Sequence, residues 1–141
     1  MPPRHVLVVG AGAAGLTAAI RAATSGARVT LLNAHPRIGL KILMSGGTRC
    51  NVTHAQVSER DFHGGSPNVI RRVLRAFPVA QTLEWFERGL GVPLKLEETG
   101  KYFPVSDDAQ SVLDALLHAA QLADVMVRPA MRVVRLDRVG S

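Results

Sequence analysis

His5–Val9 (HVLVV) runs directly into Gly10-Ala11-Gly12-Ala13-Ala14-Gly15, and this stretch decides the fold. A short apolar run that ends in glycine predicts a strand buried on both faces. The six residues after it match G-x-G-x-x-G. In that pattern the first glycine permits a sharp turn, the second lets backbone approach a pyrophosphate, and the third lets a helix pack close to a sheet.

A second strand completes a dinucleotide-binding pattern within residues 1–33. The alanine-rich stretch 13–25 predicts a helix that stops at Gly26, and Arg28–Asn33 (RVTLLN) predicts a strand parallel to the first. A ligand phosphate would then meet free N–H groups at the helix N-terminus, where the helix dipole also favours negative charge. The residues predicted to hold it are Gly10, Ala11, Gly12, Ala13, Ala14 and Gly15.

Asn33 departs from the expected pattern at the end of the second strand, where an acid usually accepts hydrogen bonds from the adenosine ribose. The amide oxygen of Asn33 still accepts a bond, but without a full charge, which costs about 1 kcal/mol. The missing acid also removes repulsion of a 2′-phosphate, and Arg37 follows shortly after. An NADP-binding module without flavin is therefore an open alternative.

Residues 34–66 are rich in Gly, Ser, Thr and Asn, show no clean period, and predict a long functional loop. A plain nicotinamide-binding unit has no use for such a loop, whereas a flavin ring needs backbone to approach one edge, which Gly46 and Gly47 allow. Lys41 and Arg49 can neutralise pyrophosphate or reduced-flavin charge, and Asn51 can donate and accept at the ring edge.

Residues 67–141 predict helices, a small hairpin and return strands. Apolar spacing indicates a helix over Asn68–Phe77 and a second helix that closes at Gly91. A hairpin follows over Val92–Phe103, and Ser106 is predicted to cap the next helix. The last strand candidates are 125–127 and 132–136.

Composition and charge exclude several classes of protein. Hydrophobic residues make up 47% and charged residues 20%, which is ordinary for a folded globular chain, and no apolar run reaches 18 residues. The net charge is +6, and residues 1–58 contain no acid, which fits a ligand that carries phosphate. The single Cys50 predicts a cytoplasmic, reducing compartment. The five histidines lack metal-ligand spacing, so no metal site is expected.

The stretch from Gly39 to Thr53 (GLKILMSGGTRCNVT) resembles the BaiN/YhiN-type family of NAD(P)/FAD-dependent flavoproteins. That family pairs a GGGxAGL-like opening with a G-R-K-x-x-x-S-G-G-G-R-C-N-x-T-N stretch. The resemblance continues through Trp85-Phe86-Glu87 and through Gly100–Asp107 (GKYFPVSD), close to the family's G-R-x-F-P-x-S-D, and so covers essentially the whole chain in order.

The resemblance implies a Rossmann-like, doubly wound α/β domain that binds FAD. It places pyrophosphate on the opening glycines and adenine near the backbone of Val133. It places these residues around the flavin: Lys41, Ser45, Gly46, Gly47, Arg49, Cys50 and Asn51. Four positions depart from the family pattern: Asn33 replaces Glu, Leu40 replaces Arg, Thr48 replaces Gly and His54 replaces the second Asn. Thr48 is strained if its position needs a positive φ.

The resemblance also implies an oxidoreductase that moves hydride between NAD(P)H or a reduced substrate and an acceptor through FAD. Complete members of the family are longer, so we expect residues 1–141 to be an N-terminal portion that lacks the C-terminal part of the fold. The expected partners are a small-molecule substrate and that missing portion, with no nucleic acid and no membrane. No residue stands out as a catalytic acid or base. A non-enzymatic basic binder, with DNA affinity that falls with salt, is the second alternative.

Overall fold

The computed structural model describes residues 4–138. In chain order the elements are β1 (His5–Val9), α1 (Ala13–Thr24), β2 (Arg28–Leu32), α2 (Leu40–Met44), β3 (Thr53–His54), α3 (Pro67–Ala76), α4 (Val79–Glu84), β4 (Leu94–Leu96), β5 (Lys101–Pro104), α5 (Ala109–Leu122) and β6 (Met126–Arg128). A 3-10 turn lies at Glu59–Asp61, and a π-helical turn at Trp85–Gly89 continues α4. Within 4–138, no helix has the length and apolar character needed to cross a bilayer.

The chain divides into two compact units, and the first consists of residues 1–43 and 116–141. Its described part contains a three-stranded parallel sheet in the order β1-β2-β6. Val6 pairs with Val29, and Leu31 pairs with Val127. The predicted strand–helix–strand arrangement of residues 1–33 is confirmed, and so is the α/β fold class.

One face of this sheet is buried and the other is not. Val29 and Leu31 on β2 are buried, as is Leu16 on α1, the helix that contacts β1 and β2. On the opposite face, Leu7 is 51% exposed and Val9 is 55% exposed. The prediction that β1 is buried on both faces is therefore wrong. Within residues 4–138, α1 packs on the face of β1 that carries Val8, whereas the side chains on the other face stay about half exposed.

The second unit comprises residues 44–115 and contains an antiparallel sheet in the order β3-β5-β4. Leu96 pairs with Tyr102 across the predicted hairpin, and Thr53 adds a third strand by pairing with the same residue. The two predicted helices are present as α3 and α4. Trp85 packs edge-to-face between Phe77 and Phe86, with ring centroids 6.4 Å and 5.4 Å away.

Three local predictions are wrong. Residues 34–66 are not free of regular structure, because they contain α2, β3 and the 3-10 turn. The cap of α5 is Asp108, whose carboxylate accepts the backbone N–H of Gln110 at 2.9 Å, whereas Ser106 lies before the helix and bonds Ser111. Residues 132–136 form no strand, because the chain after β6 turns away through Pro129 and Ala130.

Candidate functional site

The glycine-rich turn leaves the N-terminus of α1 open. Gly10 has φ +99° and Gly12 is the N-cap residue, and a Cβ atom added at either would meet nothing within 4 Å. Among the described residues, no side chain accepts a bond from the N–H groups of Gly12, Ala13 or Ala14, and the first turn carries no acid. Unpaired N–H groups at a helix N-terminus in front of open space form an anion site.

Gly15 has a different task from the two glycines before it. A Cβ atom at Gly15 would lie 1.7 Å from the carbonyl oxygen of Gly10, so only glycine allows α1 to approach the end of β1 this closely. The distance supports the packing role that the sequence pattern predicts for the third glycine.

Hydrogen bonds hold the turn to the end of β2 and to the segment that follows it. The N–H of Gly10 donates to Leu32 O at 2.7 Å, the N–H of Ala11 donates to Asn33 Oδ1 at 3.1 Å, and the N–H of Gly39 donates back to Ala11 O at 3.2 Å. Asn33 Nδ2 donates to His35 O at 2.6 Å. A carboxylate at position 33 has no N–H to donate, so it cannot make that bond.

Asn33 therefore has a structural role that the sequence did not reveal. Its Oδ1 already accepts one bond, which leaves one lone pair for a ribose hydroxyl. The segment after β6 also bonds to this residue, since the N–H of Met131 donates to Asn33 O at 2.8 Å. Val133 lies two residues further on, half-buried and in irregular backbone, so its predicted strand is absent. Lys41 is exposed on α2, in the same unit.

In the second unit, the loop Ser45–Asn51 is built from left-handed backbone. Gly46, Gly47, Thr48 and Cys50 have φ values of +56°, +66°, +70° and +64°. A Cβ atom at Gly46 would lie 2.7 Å from the ring of Phe103, so glycine is needed there for packing. A Cβ atom at Gly47 would meet nothing within 4 Å, so this backbone faces space that a flat ligand edge can enter.

Thr48 carries the strain that its replacement of the family glycine predicts. Its φ of +70° is unfavourable for a β-branched residue. Two hydrogen bonds hold Thr48 in place: its hydroxyl donates to Gly47 O at 2.5 Å, and its carbonyl accepts the N–H of Ala109 at 2.8 Å. The second bond satisfies one of the free donors at the start of α5.

Arg49 is bound by acidic side chains of its own unit. Its guanidinium donates to Glu97 at 2.6 Å, lies 3.5 Å from Asp107, and stacks 4.0 Å from the centroid of the Phe103 ring. The hydrogen bond that Arg49 donates to Glu97 raises the pKa of Arg49. Lys95 also bonds Asp107 and, with a smaller effect from Arg49, holds the pKa of that carboxyl below its usual value. Arg49 therefore holds the loop to the β4–β5 hairpin.

Cys50 and Asn51 end the loop with buried polar atoms. Burial raises the pKa of the Cys50 thiol, although a hydrogen bond with Ser45 opposes the shift, so the residue is neutral at pH 7. Asn51 Oδ1 is buried and, among the described residues, has no hydrogen-bond partner. A buried acceptor without a donor is costly. The ring N–H of a flavin is a donor of the required kind, so the residues present fit that group.

The structure thus brings Gly10–Gly15 and Asn33 together in one unit, with Lys41 in the same unit, and brings Ser45–Asn51 together in the other. The sequence missed Glu97 and Phe103, the two residues that fix Arg49. Glu97 lies 48 residues from Arg49, so no local spacing signals the pair.

The profile of a protein family described as "HI0933-like protein Rossmann domain" matches residues 4–140. The chain belongs to this family. The resemblance to BaiN/YhiN-type flavoproteins is confirmed.

Relatives of this HI0933-like chain include two bacterial enzymes. The 3-dehydro-bile acid delta(4,6)-reductase of Clostridium scindens is 38% identical over 131 residues, which are 92% of this chain and 32% of that protein. The ribosomal RNA dihydrouridine synthase of Escherichia coli is 30% identical over 132 residues, or 94% of this chain and 32% of that protein. The chain thus spans about a third of the length of these relatives.

A solved structure supports the fold. The crystal structure of Thermovibrio ammonificans THI4 superposes with a TM-score of 0.55 at 20% sequence identity, over 90% of this chain and 38% of that one.

Proposed function

We propose that this HI0933-like chain is the FAD-binding portion of a flavin-dependent oxidoreductase, with NAD(P)H as electron donor. The observation that carries the proposal is the open N-terminus of α1, where Gly10 and Gly12 leave space in front of unpaired N–H groups. A diphosphate there accepts charge-assisted bonds worth roughly 1.5–3 kcal/mol each. The net charge of +6 adds long-range attraction.

The loop Ser45–Asn51 supports FAD rather than NADP alone. Gly47 leaves its backbone accessible, and Asn51 holds a buried acceptor that needs a donor. In this proposal Lys41 neutralises ligand charge, whereas Arg49 acts by holding the loop to Glu97. When bound, FAD would supply a two-electron, hydride-level carrier between NAD(P)H and an acceptor.

The names of the two relatives favour one class of acceptor. A delta(4,6)-reductase of a 3-dehydro-bile acid and a dihydrouridine synthase both name the conversion of a ring C=C bond to C–C. In both rings that bond is conjugated with a carbonyl. We therefore propose that the whole protein reduces a C=C bond conjugated with a ring carbonyl. The expectations of a small-molecule rather than a nucleic-acid substrate, and of a cytoplasmic location, stay predictions.

The exposed face of the parallel sheet is consistent with a full-length protein that is longer than this chain. Parallel sheets are almost always covered on both faces, yet Leu7, Val9 and Met126 are each about half exposed. We propose that further polypeptide of the full-length protein covers this face. The relatives, which are about three times longer than the matched region, contain enough chain to do so.

The test is FAD and NADPH titration of the purified chain, compared with Gly12→Val. Position 12 has φ −90° and open space, so the native backbone can accommodate valine there. The valine side chain would fill the space in front of the N–H groups. Loss of two charge-assisted bonds weakens FAD binding by roughly 100-fold or more. The matched control is Ala18→Val on the exposed side of the same helix, which should bind like the parent chain.

The outcomes separate the alternatives. FAD binding that Gly12→Val removes, with bound flavin visible by absorbance, supports the proposal. A rise in melting temperature with NADPH and none with FAD would favour the NADP module. Indifference to both nucleotides, combined with salt-sensitive DNA binding, would favour the basic binder.

A further inference from the structure

A cavity of about 780 Å³ lies in the unit formed by residues 44–115, and two segments, 53–62 and 74–82, provide its walls. A smaller space of about 400 Å³ has five lining residues in common with it: Thr53, Gln56, Val57, Asp61 and Phe62. No residue of the loop Ser45–Asn51 is among the described residues that line either space, so binding there does not require FAD. The volumes are in the range of small-molecule sites, which is about 300–1,000 Å³.

Two phenyl rings in the wall of the larger cavity have accessible surface. Phe62 is 48% exposed and Phe77 is 38% exposed. Phe77 contacts Trp85 edge-to-face, whereas Phe62 pairs with no aromatic ring among the described residues. Within residues 4–138, the cation that stacks on a phenyl ring is Arg49, and its ring is that of Phe103. The rings of Phe62 and Phe77 are therefore available to contact a cation of a ligand.

One carboxylate, which lines both spaces, has an unused oxygen. Asp61 Oδ2 accepts the N–H and the hydroxyl of Ser58 at 2.7 Å and 3.2 Å, whereas Asp61 Oδ1 bonds no residue in the described part of the chain. The neighbouring Glu59 and Arg71 pair with each other at 2.6 Å, so this arginine is bound to another acid. Asp61 therefore offers a free acceptor and a negative charge to a ligand.

The rest of the polar wall is uncharged in the larger cavity. Thr53, Gln56 and Thr82 offer hydroxyl and amide groups that both donate and accept. Among the described residues, no lysine, arginine or histidine lines the larger cavity, and His54 lines only the smaller space. An anion in the larger cavity would face the carboxylate of Asp61 with no cation beside it, which is costly, whereas a cation would be attracted.

We propose that this cavity binds a small organic ammonium ion. The cationic head lies between Asp61 Oδ1 and the phenyl ring of Phe62, and the remainder of the ligand extends along Phe77 into the larger space. A carboxylate beside accessible aromatic rings suits an ammonium ion, because the faces of the rings attract cations as the carboxylate does. This inference goes beyond the function proposed above and does not depend on it.

The experiment titrates the purified chain with choline, a quaternary ammonium ion, with phenethylammonium, a primary one, and with neohexanol. Neohexanol has the shape of choline, but carbon replaces the nitrogen and the charge is absent. Binding is followed by the fluorescence of Trp85, the only tryptophan, whose ring lies 6.4 Å from that of Phe77. Isothermal titration calorimetry measures the same affinities without a reporter. We expect saturable binding of at least one ammonium ion, and binding of neohexanol that is weaker by about tenfold or more.

Asp61→Asn tests the role of the charge. Asparagine keeps an oxygen that can accept the bonds of Ser58, so the fold should be retained while the negative charge is lost. The affinity for the ammonium ion should fall by about fivefold, and the affinity for neohexanol should not change. The matched control is Asp114→Asn, which removes an exposed carboxylate of the same unit that does not line the cavity. It should leave both affinities unchanged.

Phe62→Leu tests the role of the ring. Leucine keeps an apolar side chain at this exposed position, so folding should be retained, but the aromatic face is lost. The affinity for the ammonium ion should fall by about threefold. The matched control is Leu96→Ala, which removes an apolar side chain that is 54% exposed and does not line the cavity. It should bind like the parent chain.

Each outcome decides the proposal. Binding of choline alone or of phenethylammonium alone supports it and identifies a quaternary or a primary head, and binding of both supports the shared chemistry. No saturable binding of either ion would overturn the proposal, and so would equal binding of neohexanol, which would show apolar contact alone. Affinities unaffected by both Asp61→Asn and Phe62→Leu would place the ion elsewhere and overturn it too. FAD titration of the same chain tests the flavin function separately.

Discussion

Replacing Thr48 by glycine should make this protein more stable. A φ of +70° costs an L residue about 1–2 kcal/mol, and a β-branched residue lies at the upper end. Relief of this strain is offset by about 0.5–1 kcal/mol, because glycine has greater conformational freedom in the unfolded chain. The bond from the Thr48 hydroxyl to Gly47 O is also lost, but it is exposed and between neighbouring residues. The net expectation is a gain of about 1 kcal/mol.

Thermal unfolding of Thr48→Gly measures this gain. With an unfolding entropy of about 2.1 cal/mol/K per residue, 1 kcal/mol raises the melting temperature of a chain of 141 residues by about 3 °C. The melting temperature of Thr48→Asn should also rise, but by less than that of Thr48→Gly, because asparagine tolerates the left-handed region better than threonine does. Thr48→Ala keeps the Cβ atom and should not match glycine. An alanine variant as stable as the glycine variant would show that the backbone conformation is not the cause.

Three further predictions follow from the geometry. Gly15→Ala should prevent stable folding, measured by circular dichroism, because its Cβ atom would lie 1.7 Å from Gly10 O; a native melting curve would contradict the packing role. Iodoacetamide should label Cys50 at pH 8 much more slowly in the folded than in the unfolded chain, because burial raises the thiol pKa above 9.0; equal rates would contradict it. The pKa of Asp107 is lowered in the folded state, so its stabilising effect is fully present above pH 3.8. The effect is lost as the pH falls below that value. The difference in unfolding free energy between the parent and Asp107→Asn should therefore shrink between pH 5 and pH 2.5, and a constant difference would refute the ion-pair assignment.

The sequence predicted the parts of the fold that depend on local chemistry. Gly10, Gly12 and Gly15 each occupy the kind of position that their spacing indicates, because turn geometry and close packing act within a few residues. The strain at Thr48 was also predictable, since the family pattern has glycine at that position and glycine tolerates positive φ.

The parts that the sequence missed depend on distant contacts. Arg49 contacts Glu97 and Phe103 only because the hairpin brings them to the loop. The charge of Arg49 is therefore balanced by Glu97 and Asp107, and not by a ligand as predicted. The exposure of β1 depends on which strands and helices are present beside it, which its own residues do not state. The cap of α5 is Asp108 rather than the predicted Ser106, and Asp107, which lies between them, adopts φ +53°.

The most direct test of the central claim is the amide NMR spectrum of the ¹⁵N-labelled chain during titration with FAD. We predict that the resonances of Gly12, Ala13 and Ala14 shift most strongly, since their N–H groups would bind the pyrophosphate. In Gly12→Val, the resonances of Ala13 and Ala14 should not move at these FAD concentrations. Shifts confined to other residues, with the N-terminus of α1 unaffected, would contradict the assignment of this turn as the diphosphate site.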